Sequence, residues 1–583
     1  MNTHFNPITF ELIKNGLAVL CEEMALTMAR AAYSPIVREM LDFTTALLTP
    51  EGEVMSQVRA APLHLGSIMY ALQGIRDKFG PEMQPGDVFI NNDPYEGGSH
   101  LPDIFILKPL FVDGKLAAYV GAEAHMSDIG GRVPGSNASD STDIYQEGLR
   151  IPPSYLFYRG DPNRTLWDLI EKNVRQPKKV IGDIRAILAA ITVGERGFQK
   201  FVREYGYEQF RSYVEEIMNY TERVARAEIA RWPDGEYSFE DAIDDDGLDP
   251  GPIPIHLKVT VRGEELELDF SGTAPQVRAA INTPASFTKA ACFLAVRSAM
   301  SVDLPHNSGF TRPIRIFVPE GTVLNPRHPA AVAARALAAY RTANTVIGAF
   351  AKIIPERMMA ADDGGNALIT SAGKDSDGKD WVFSDIHLAA WGGRQDRDGV
   401  DGTCGVCIST ANTPCEIVEL EYPVRIQQYG FVQDACGAGK FRGGLAVVRE
   451  YEILADDLMM QVRSDRAKIA PYGLFGGKPG TVSTNILNPG PNQKELPSKF
   501  ITWLKSGDVY RCQLASGGGW GDPFERDPEL VLLDVRNEKI TTGFAAREHG
   551  VIVDSKTLRI NWEATERARN AHRVRASDEQ AKT

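Results

Sequence analysis

A mixed α/β (α+β) fold class is predicted: a large multi-layer body with a helical N-terminal part and a strand- and glycine-rich C-terminal half. Three observations predict it. The chain has 583 residues, too many for one compact core when domains run to roughly 100–200 residues. Apolar residues make up 43% and charged residues 24%, the ordinary balance of a chain that buries a large core. Hydrophobic residues recur every three or four positions in the first part, whereas short strand-like runs between glycines dominate after Asp363.

Each element follows in order. Pro7 opens a helix whose apolar stripe is Ile13, Leu17, Leu20, Met24, Met28 and Ala32, and Pro35 ends it. A hairpin follows: Phe43 to Leu48, a turn at Pro50-Glu51-Gly52, then Val54 onward. A helix is expected over about Gly66 to Lys78, and a strand at Val88-Phe89-Ile90. The clearest hairpin pairs Ile104–Val112 with Lys115–Ala122 across Asp113-Gly114, the preferred pair for a two-residue type I′ turn. Helices are expected from Leu166 to Arg231, and Trp232-Pro233-Asp234-Gly235 marks a boundary. An acidic loop, Glu240 to Asp249, leads to a hairpin of Ile255–Val261 and Leu266–Phe270. Helices are expected over Ser286–Met300 and Ala330–Ile354, then strands and glycines to about Asp522, then two helical pieces in a charged tail. Four parts result: 1–231 with the candidate site, 232–362, 363–525 and 526–583.

Lys+Arg is 63 and Asp+Glu is 77, a net charge of −14. That balance argues against nucleic-acid binding and against polybasic membrane binding. No run of 18 apolar residues suggests a membrane span. The start lacks a basic segment followed by an apolar core, so the expectation is a cytoplasmic protein without a signal peptide. Seven cysteines in this length make no disulfide framework.

The strongest chemical signal is Gly97-Gly98-Ser99-His100-Leu101-Pro102-Asp103, answered by Glu123-Ala124-His125-Met126-Ser127-Asp128. The Asp113-Gly114 turn brings Asp103 and His125 to one end of one hairpin. Its register sets Asp103 opposite Ala124 and His125 opposite Pro102, so strict alternation puts the two on opposite faces. Pro102 interrupts the ladder there and can relax that alternation. Two imidazoles and a carboxylate suit Zn²⁺ or Mn²⁺ with room for water, whose pKa would fall toward about 7. The plain alternative is a set of polar residues hydrogen-bonded at a hairpin mouth.

At these residues the sequence resembles the hydantoinase B/oxoprolinase family. The resemblance runs from Asn91-Asn92-Asp93-Pro94-Tyr95-Glu96 through Asp103, and covers His125 with Asp128-Ile129-Gly130-Gly131. Further matches are Asn173-Val174-Arg175, Pro313-Ile314-Arg315, Pro319-Glu320-Gly321, Tyr422-Pro423-Val424-Arg425, Phe441-Arg442-Gly443-Gly444 and Gly517 to Pro523. It implies ATP-dependent chemistry of two kinds, hydrolysis of cyclic amides (hydantoins, 5-oxoproline, lactams) or carboxylation of ketones. It implies a hydantoinase A-type partner that binds ATP with Mg²⁺, in a heterotetramer of two A and two B chains. It also implies metal ligands at His100, Asp103 and His125, with Asp42 as the fourth. Many members carry a second histidine where this chain has Met126, so no role of that histidine carries over.

Other candidates have bland alternatives. His64 falls at a helix start and can be a proton carrier or a satisfied buried histidine. Glu123 and Asp128 flank His125; either can act as general base, and Asp128 can equally cap the Ile129-Gly130-Gly131 turn. Cys404-Gly405-Val406-Cys407, with Cys415 and Cys436 downstream, matches no zinc ribbon and reads as free thiols. Gly437-Ala438-Gly439-Lys440 and Gly476-Gly477-Lys478-Pro479 fail the P-loop pattern and read as tight turns. The Gly517 to Pro523 loop either lines a passage between subunits or allows close backbone approach. The reading is the metal-bearing hydrolytic subunit of an ATP-dependent cyclic amidase. The alternatives are a ketone carboxylase subunit and a non-catalytic scaffold for the ATP-binding partner.

Overall fold

The computed structural model describes residues 6–58, 62–64, 66–374 and 377–580. The first body comprises α1 (Pro7–Ala31), α2 (Pro35–Arg38), β1 (Phe43–Leu48), β2 (Val54–Gln57), α3 (Ser67–Phe79), β3 (Val88–Asn91), β4 (Asp103–Val112), β5 (Lys115–His125), β6 (Ser154–Tyr158), β7 (Asp161–Pro162), α4 (Arg164–Asn173), α5 (Pro177–Tyr205) and α6 (Tyr207–Ile229). Asn6 caps α1 by accepting from Ile8 and Thr9 N–H, with Pro7 in the first turn where its missing N–H costs nothing. The stripe Ile13, Leu17, Leu20, Met24 and Met28 is buried as its spacing requires.

The strands form one antiparallel sheet in the order β2-β1-β5-β4-β3-β6-β7. Phe43, Leu47, Ile104, Ile106, Val120, Ala122 and Ala124 face a core shared with α1 and α5. Ala46, Leu48, Phe89, Phe105, Leu107 and Tyr119 face α3 on the other side. Both faces are covered, which explains why the strands read as continuous apolar runs instead of alternating ones.

A second sheet follows, made of β8 (Gly235–Ile243), β9 (Ile253–Arg262), β10 (Glu265–Asp269) and β11 (Ile314–Phe317), with α7 (Ala285–Ala299) before β11 and α8 (Ala336–Phe350) after it. Its order is β11-β10-β9-β8, with β10 and β11 parallel. Ile253, Ile255, Leu257, Val259 and Val261 turn one face of β9 onto the core that holds α8. All of α8 is buried, as a helix apolar on every side must be. The helix starts at Ala336 rather than the expected Ala330. The preceding residues are held as a turn, because Glu147 accepts from Val332 and Ala333 N–H while Ala334 N–H donates to the Ala280 carbonyl. The first residues of the expected acidic loop, Glu240 to Ile243, belong to β8. The rest ties bodies together, with Asp244 accepting from Ala467, Lys468 and Ile469 N–H.

The last half contributes β12 (Ala367–Lys374), β13 (Asp380–His387), α9 (Cys415–Glu421), β14 (Val424–Phe431), β15 (Val447–Ile453), β16 (Leu458–Arg463), β17 (Thr484–Leu487), β18 (Lys494–Leu496), β19 (Lys499–Leu504) and β20 (Val509–Gln513). They make sheets of order β13-β12-β16-β19 and β14-β15-β20-β17-β18. Ile369, Phe383, Met460 and Val462 of the first share a core with Val447, Tyr451, Ile453 and Tyr510 of the second. The tail forms three helices instead of two: α10 (Pro528–Arg536), α11 (Thr542–His549) and α12 (Trp562–Gln580).

The glycine-rich segments stack on one another. A Cβ at Gly477 would lie 2.1 Å from the Gly519 carbonyl, and one at Gly518 would lie 2.1 Å from the Tyr472 carbonyl. Gly437–Lys440 leads into a bridge between Phe441 and Trp520, not into a phosphate-binding helix. All seven cysteines are free. Among the described residues, no helix is long and apolar enough to cross a membrane.

Candidate metal centre

Asp103 opens β4 and His125 closes β5, and the two are direct cross-strand partners. The register differs by one residue from the one that the Asp113-Gly114 turn predicts. The turn itself is as expected, with φ 50° at Asp113 and 76° at Gly114, both left-handed as type I′ requires. The cause is a bulge: Leu110 pairs with Ala118 and Phe111 with Leu116, so Ala117 has no partner. One extra residue exchanges the faces of everything beyond it. Asp103 and His125 therefore point the same way, and the bulge, not Pro102, is the reason. Glu123, two residues before His125, shares that face.

His100, Asp103 and His125 present ligand atoms within 4.8 Å of one another, all buried. His100 Nδ1 lies 2.9 Å from the Ala333 carbonyl oxygen, and its Nε2 lies 3.0 Å from Asp103 Oδ1. A carbonyl only accepts, so the network puts the ring proton on Nδ1 and turns the Nε2 lone pair toward the carboxylate. Two acceptors at that distance repel unless a proton or a cation lies between them. Burial first, then the Arg335 guanidinium, pushes His100 down to about 3, against the pull of Asp103. A proton on Nε2 is thereby disfavoured at neutral pH. A metal-bound histidine usually donates its other N–H to a carbonyl in this way. His125 Nδ1 is buried without a hydrogen-bond partner among the described residues, and burial lowers that imidazole's pKa as well. Burial works to raise Asp103, but Arg335 and His100 outweigh it and hold the carboxyl well below the usual range. Ser99 Oγ and Arg335 Nη2 both donate to Asp103 Oδ2. Two neutral imidazoles and a fixed carboxylate fit a divalent cation.

A second group, His64, Asp103 and Glu123, is equally close-set. His64 Nε2 lies 3.4 Å from Asp42 Oδ1, and its Nδ1 lies 3.0 Å from Glu123 Oε2. The Glu123 contact is an ion pair by distance and not a hydrogen bond, and among the described residues neither Glu123 oxygen nor His64 Nδ1 has a hydrogen-bond partner. Burial works against charging His64, but Glu123 and Asp42 outweigh it and raise the imidazole. Burial raises Glu123, with His64 opposing. Asp42, His64 and His125 border a pocket that also includes Phe287, Arg335, Tyr340, Thr410 and Arg463 and offers about 40 Å³ to the centres of water-sized molecules.

The model of the Hydantoinase B/oxoprolinase family matches residues 6–523. The chain belongs to this family. It is 35% identical, over 97% of its length and 98% of the other's, to the B-type chain of a putative D-/L-hydantoinase from a Pseudomonas strain. It superposes with a TM-score of 0.91 on the crystal structure of an ATP-dependent caprolactamase from Pseudomonas jessenii, at 28% identity and covering 97% of this chain and 100% of that one. It shares the fold of an acetone carboxylase in a nucleotide-free structure, TM-score 0.91 at 19% identity, covering 99% of this chain and 84% of the other.

Of the residues that the sequence nominates, the structure brings together His100, Asp103, His125, Glu123 and His64. Asp42 lines the same pocket and accepts the His125 N–H at its backbone carbonyl, 3.1 Å away. Its carboxylate faces His64 and is outside both close-set groups. Asp128 is engaged elsewhere: it accepts from Gly130, Gly135 and Arg175 N–H and pairs with Arg175 Nη1 at 3.0 Å, which is the turn-capping alternative. Met126 is buried in the core on the α1 side of the sheet, facing away from the site. Sequence reasoning missed Arg335 and Arg463. Arg335 is a single cation within the alanine-rich run Ala330–Ala339, and Arg463 ends a fully buried strand just before the charged run Asp465 to Lys468. It also missed Glu147, which accepts from Val332 and Ala333 N–H and holds the turn that carries the Ala333 carbonyl toward His100.

Proposed function

We propose that this chain is the metal-bearing hydrolytic subunit of an ATP-dependent cyclic amidase, working in the cytoplasm with a hydantoinase A-type partner. The observation that carries it is the buried His100–Asp103–His125 group, with two acceptors facing each other at 3.0 Å, in a chain of this family. Zinc is the first choice and manganese the second, from the mixed N/O donor set. Bound there, the ion would supply a water acidified enough to act as nucleophile near neutral pH.

An amide resists hydrolysis because its nitrogen lone pair is delocalised. In the proposed sequence the A-type partner, in a complex of two A and two B chains, transfers a phosphoryl group from ATP to the amide oxygen and leaves an electrophilic C=N carbon. Water adds to that carbon. The nitrogen takes a proton, the C–N bond breaks toward nitrogen and the ring opens as an acyl phosphate. A second water releases carboxylate and orthophosphate. In this reading Glu123, whose carboxyl is raised by burial, takes the water proton. His64, which faces Asp42 and Glu123, hands one on.

The test is co-purification with the A-type subunit, elemental analysis, and ATP-dependent ring opening across lactams, hydantoins and 5-oxoproline. One metal per chain and product from at least one ring are expected. A fully active complex without stoichiometric metal would sink the metal role. A strict bicarbonate requirement with net carbon fixation would assign the chain to ketone carboxylation.

A further inference from the structure

Seven arginines are buried among the described residues: Arg335, Arg341, Arg442, Arg449, Arg463, Arg466 and Arg526. Six of them pair with aspartates. Arg335 holds Asp103, Arg341 holds Asp241 and Asp465, and Arg466 holds Asp241. Arg442 holds Asp401, Arg449 holds Asp385, and Arg526 holds Asp398 and Asp534. Arg463 is the exception. Its Nε and Nη1 are buried with no hydrogen-bond partner among the described residues. Lys499, opposite it on β19, is already shared by Asp245 and Asp465 at 3.5 Å each. Asp42 and Asp103 reach it only through their fields, and burial outweighs them and Tyr340 to leave the guanidinium near 10, still charged at neutral pH.

A buried guanidinium without a counter-ion is strongly unfavourable, because its hydration is lost and nothing replaces it. It persists where its partner arrives as a ligand. Arg463 lines a pocket with His125 of the metal group and with His64, Arg335 and Thr410, and Thr410 Oγ1 is also buried with no hydrogen-bond partner among the described residues. Several unsatisfied polar groups thus converge on one small space. A water needs about 10–15 Å³ by the same measure, so the space of about 40 Å³ suits a small anion. A guanidinium presents parallel N–H groups matched to the oxygens of such an anion.

We propose that Arg463, with Thr410, forms an oxyanion subsite that holds the phosphoryl group of the activated substrate and the orthophosphate it becomes. This rests on the hydrolytic reading above, yet it can be tested without turnover. The metal-loaded full chain is melted with and without orthophosphate, as wild type, Arg463→Met and Arg463→Lys. Orthophosphate should raise the Tm of the wild type, raise that of Arg463→Lys less, and leave Arg463→Met unmoved. Without phosphate, Arg463→Met should melt at or above the wild-type temperature, because it removes an unpaired buried charge. Arg449→Met, which leaves Asp385 buried without its cation, should melt lower. In the complex with the A-type subunit, inhibition of ring opening by added orthophosphate should weaken at least tenfold in Arg463→Met. Equal phosphate-induced shifts in wild type and Arg463→Met, or none in the wild type, would overturn the proposal. So would a shift produced by acetate or bicarbonate but not by phosphate, which would mark a carboxylate subsite. Absence of any ring opening would defeat the hydrolytic reading while leaving the phosphate binding result standing.

Discussion

His100 shows how much a single side chain depends on distant ones. Its Nδ1 is fixed by the Ala333 carbonyl; the peptide unit of that carbonyl is held by Ala334 N–H donating to the Ala280 carbonyl, and the turn before it by Glu147, which accepts from Val332 and Ala333 N–H at 2.7 and 2.8 Å. Burial outweighs those two bonds and pushes the Glu147 carboxyl up to about 8. A carboxyl with a raised folded-state pKa contributes stability that is whole below its unfolded value, about 4.3, and lost as pH rises through 8. Glu147→Gln keeps the accepting oxygen and removes the titration. The variant should therefore gain Tm relative to wild type between pH 5 and pH 8.5, in metal-free chain followed by thermal melts. A difference that does not change with pH would mean that Glu147 stays ionised throughout. At the same scale, His125→Ala should leave the chain folded and remove its metal, since it deletes one of the two imidazoles. Retention of one metal per chain in elemental analysis would show that His125 is not a ligand. The sequence nominated His100, Asp103 and His125 from residue type and spacing alone. It could not nominate Glu147, Arg335 or Arg463, because nothing local distinguishes a buried charge from an exposed one until the fold closes over it.

At the scale of elements, the β4–β5 hairpin reconciles two demands. The Asp113-Gly114 turn dictates Val112 opposite Lys115, while the site needs Asp103 opposite His125. Ala117 absorbs the difference; it is buried in the core, and its carbonyl accepts the Tyr207 hydroxyl of α6 at 3.1 Å. Hairpins, helices and their order were legible because apolar period and turn residues act locally. The bulge was not, because its cause lies in the neighbours: β1 and β3 anchor the site end of the ladder independently of the turn. Deleting Ala117 tests which end governs. Eight paired positions lie on the site side of the bulge and two on the turn side, so the turn should yield. The deletion should lower the Tm and leave metal content unchanged. Selective loss of metal from an otherwise folded chain would show instead that the turn sets the register.

For the whole molecule, the pocket is assembled from parts far apart in sequence: the end of the first sheet, the entry to α8, and β12, β13 and β16 of the third sheet. Neither half carries the site alone. Among the described residues, Gly437–Lys440 enters a bridge and the glycines of 476–477 and 517–519 lie against neighbouring backbone instead of forming a phosphate-binding loop. On the proposed reading the two half-reactions belong to different subunits, and a site variant should separate them. The isolated chain should give no heat on titration with ATP. In the complex with the A-type subunit, His125→Ala should still bind and slowly turn over ATP while ring opening falls by orders of magnitude, about 3 kcal/mol of lost transition-state stabilisation for each hundredfold or so. Assembly should be intact, because His125 is buried beside its pocket and contributes no exposed surface to a partner. The deciding measurement is ADP release alongside ring-opened product in the same reaction. Parallel loss of both activities in an intact complex would mean that phosphoryl transfer itself requires this site, and that the division of labour between the subunits is wrong.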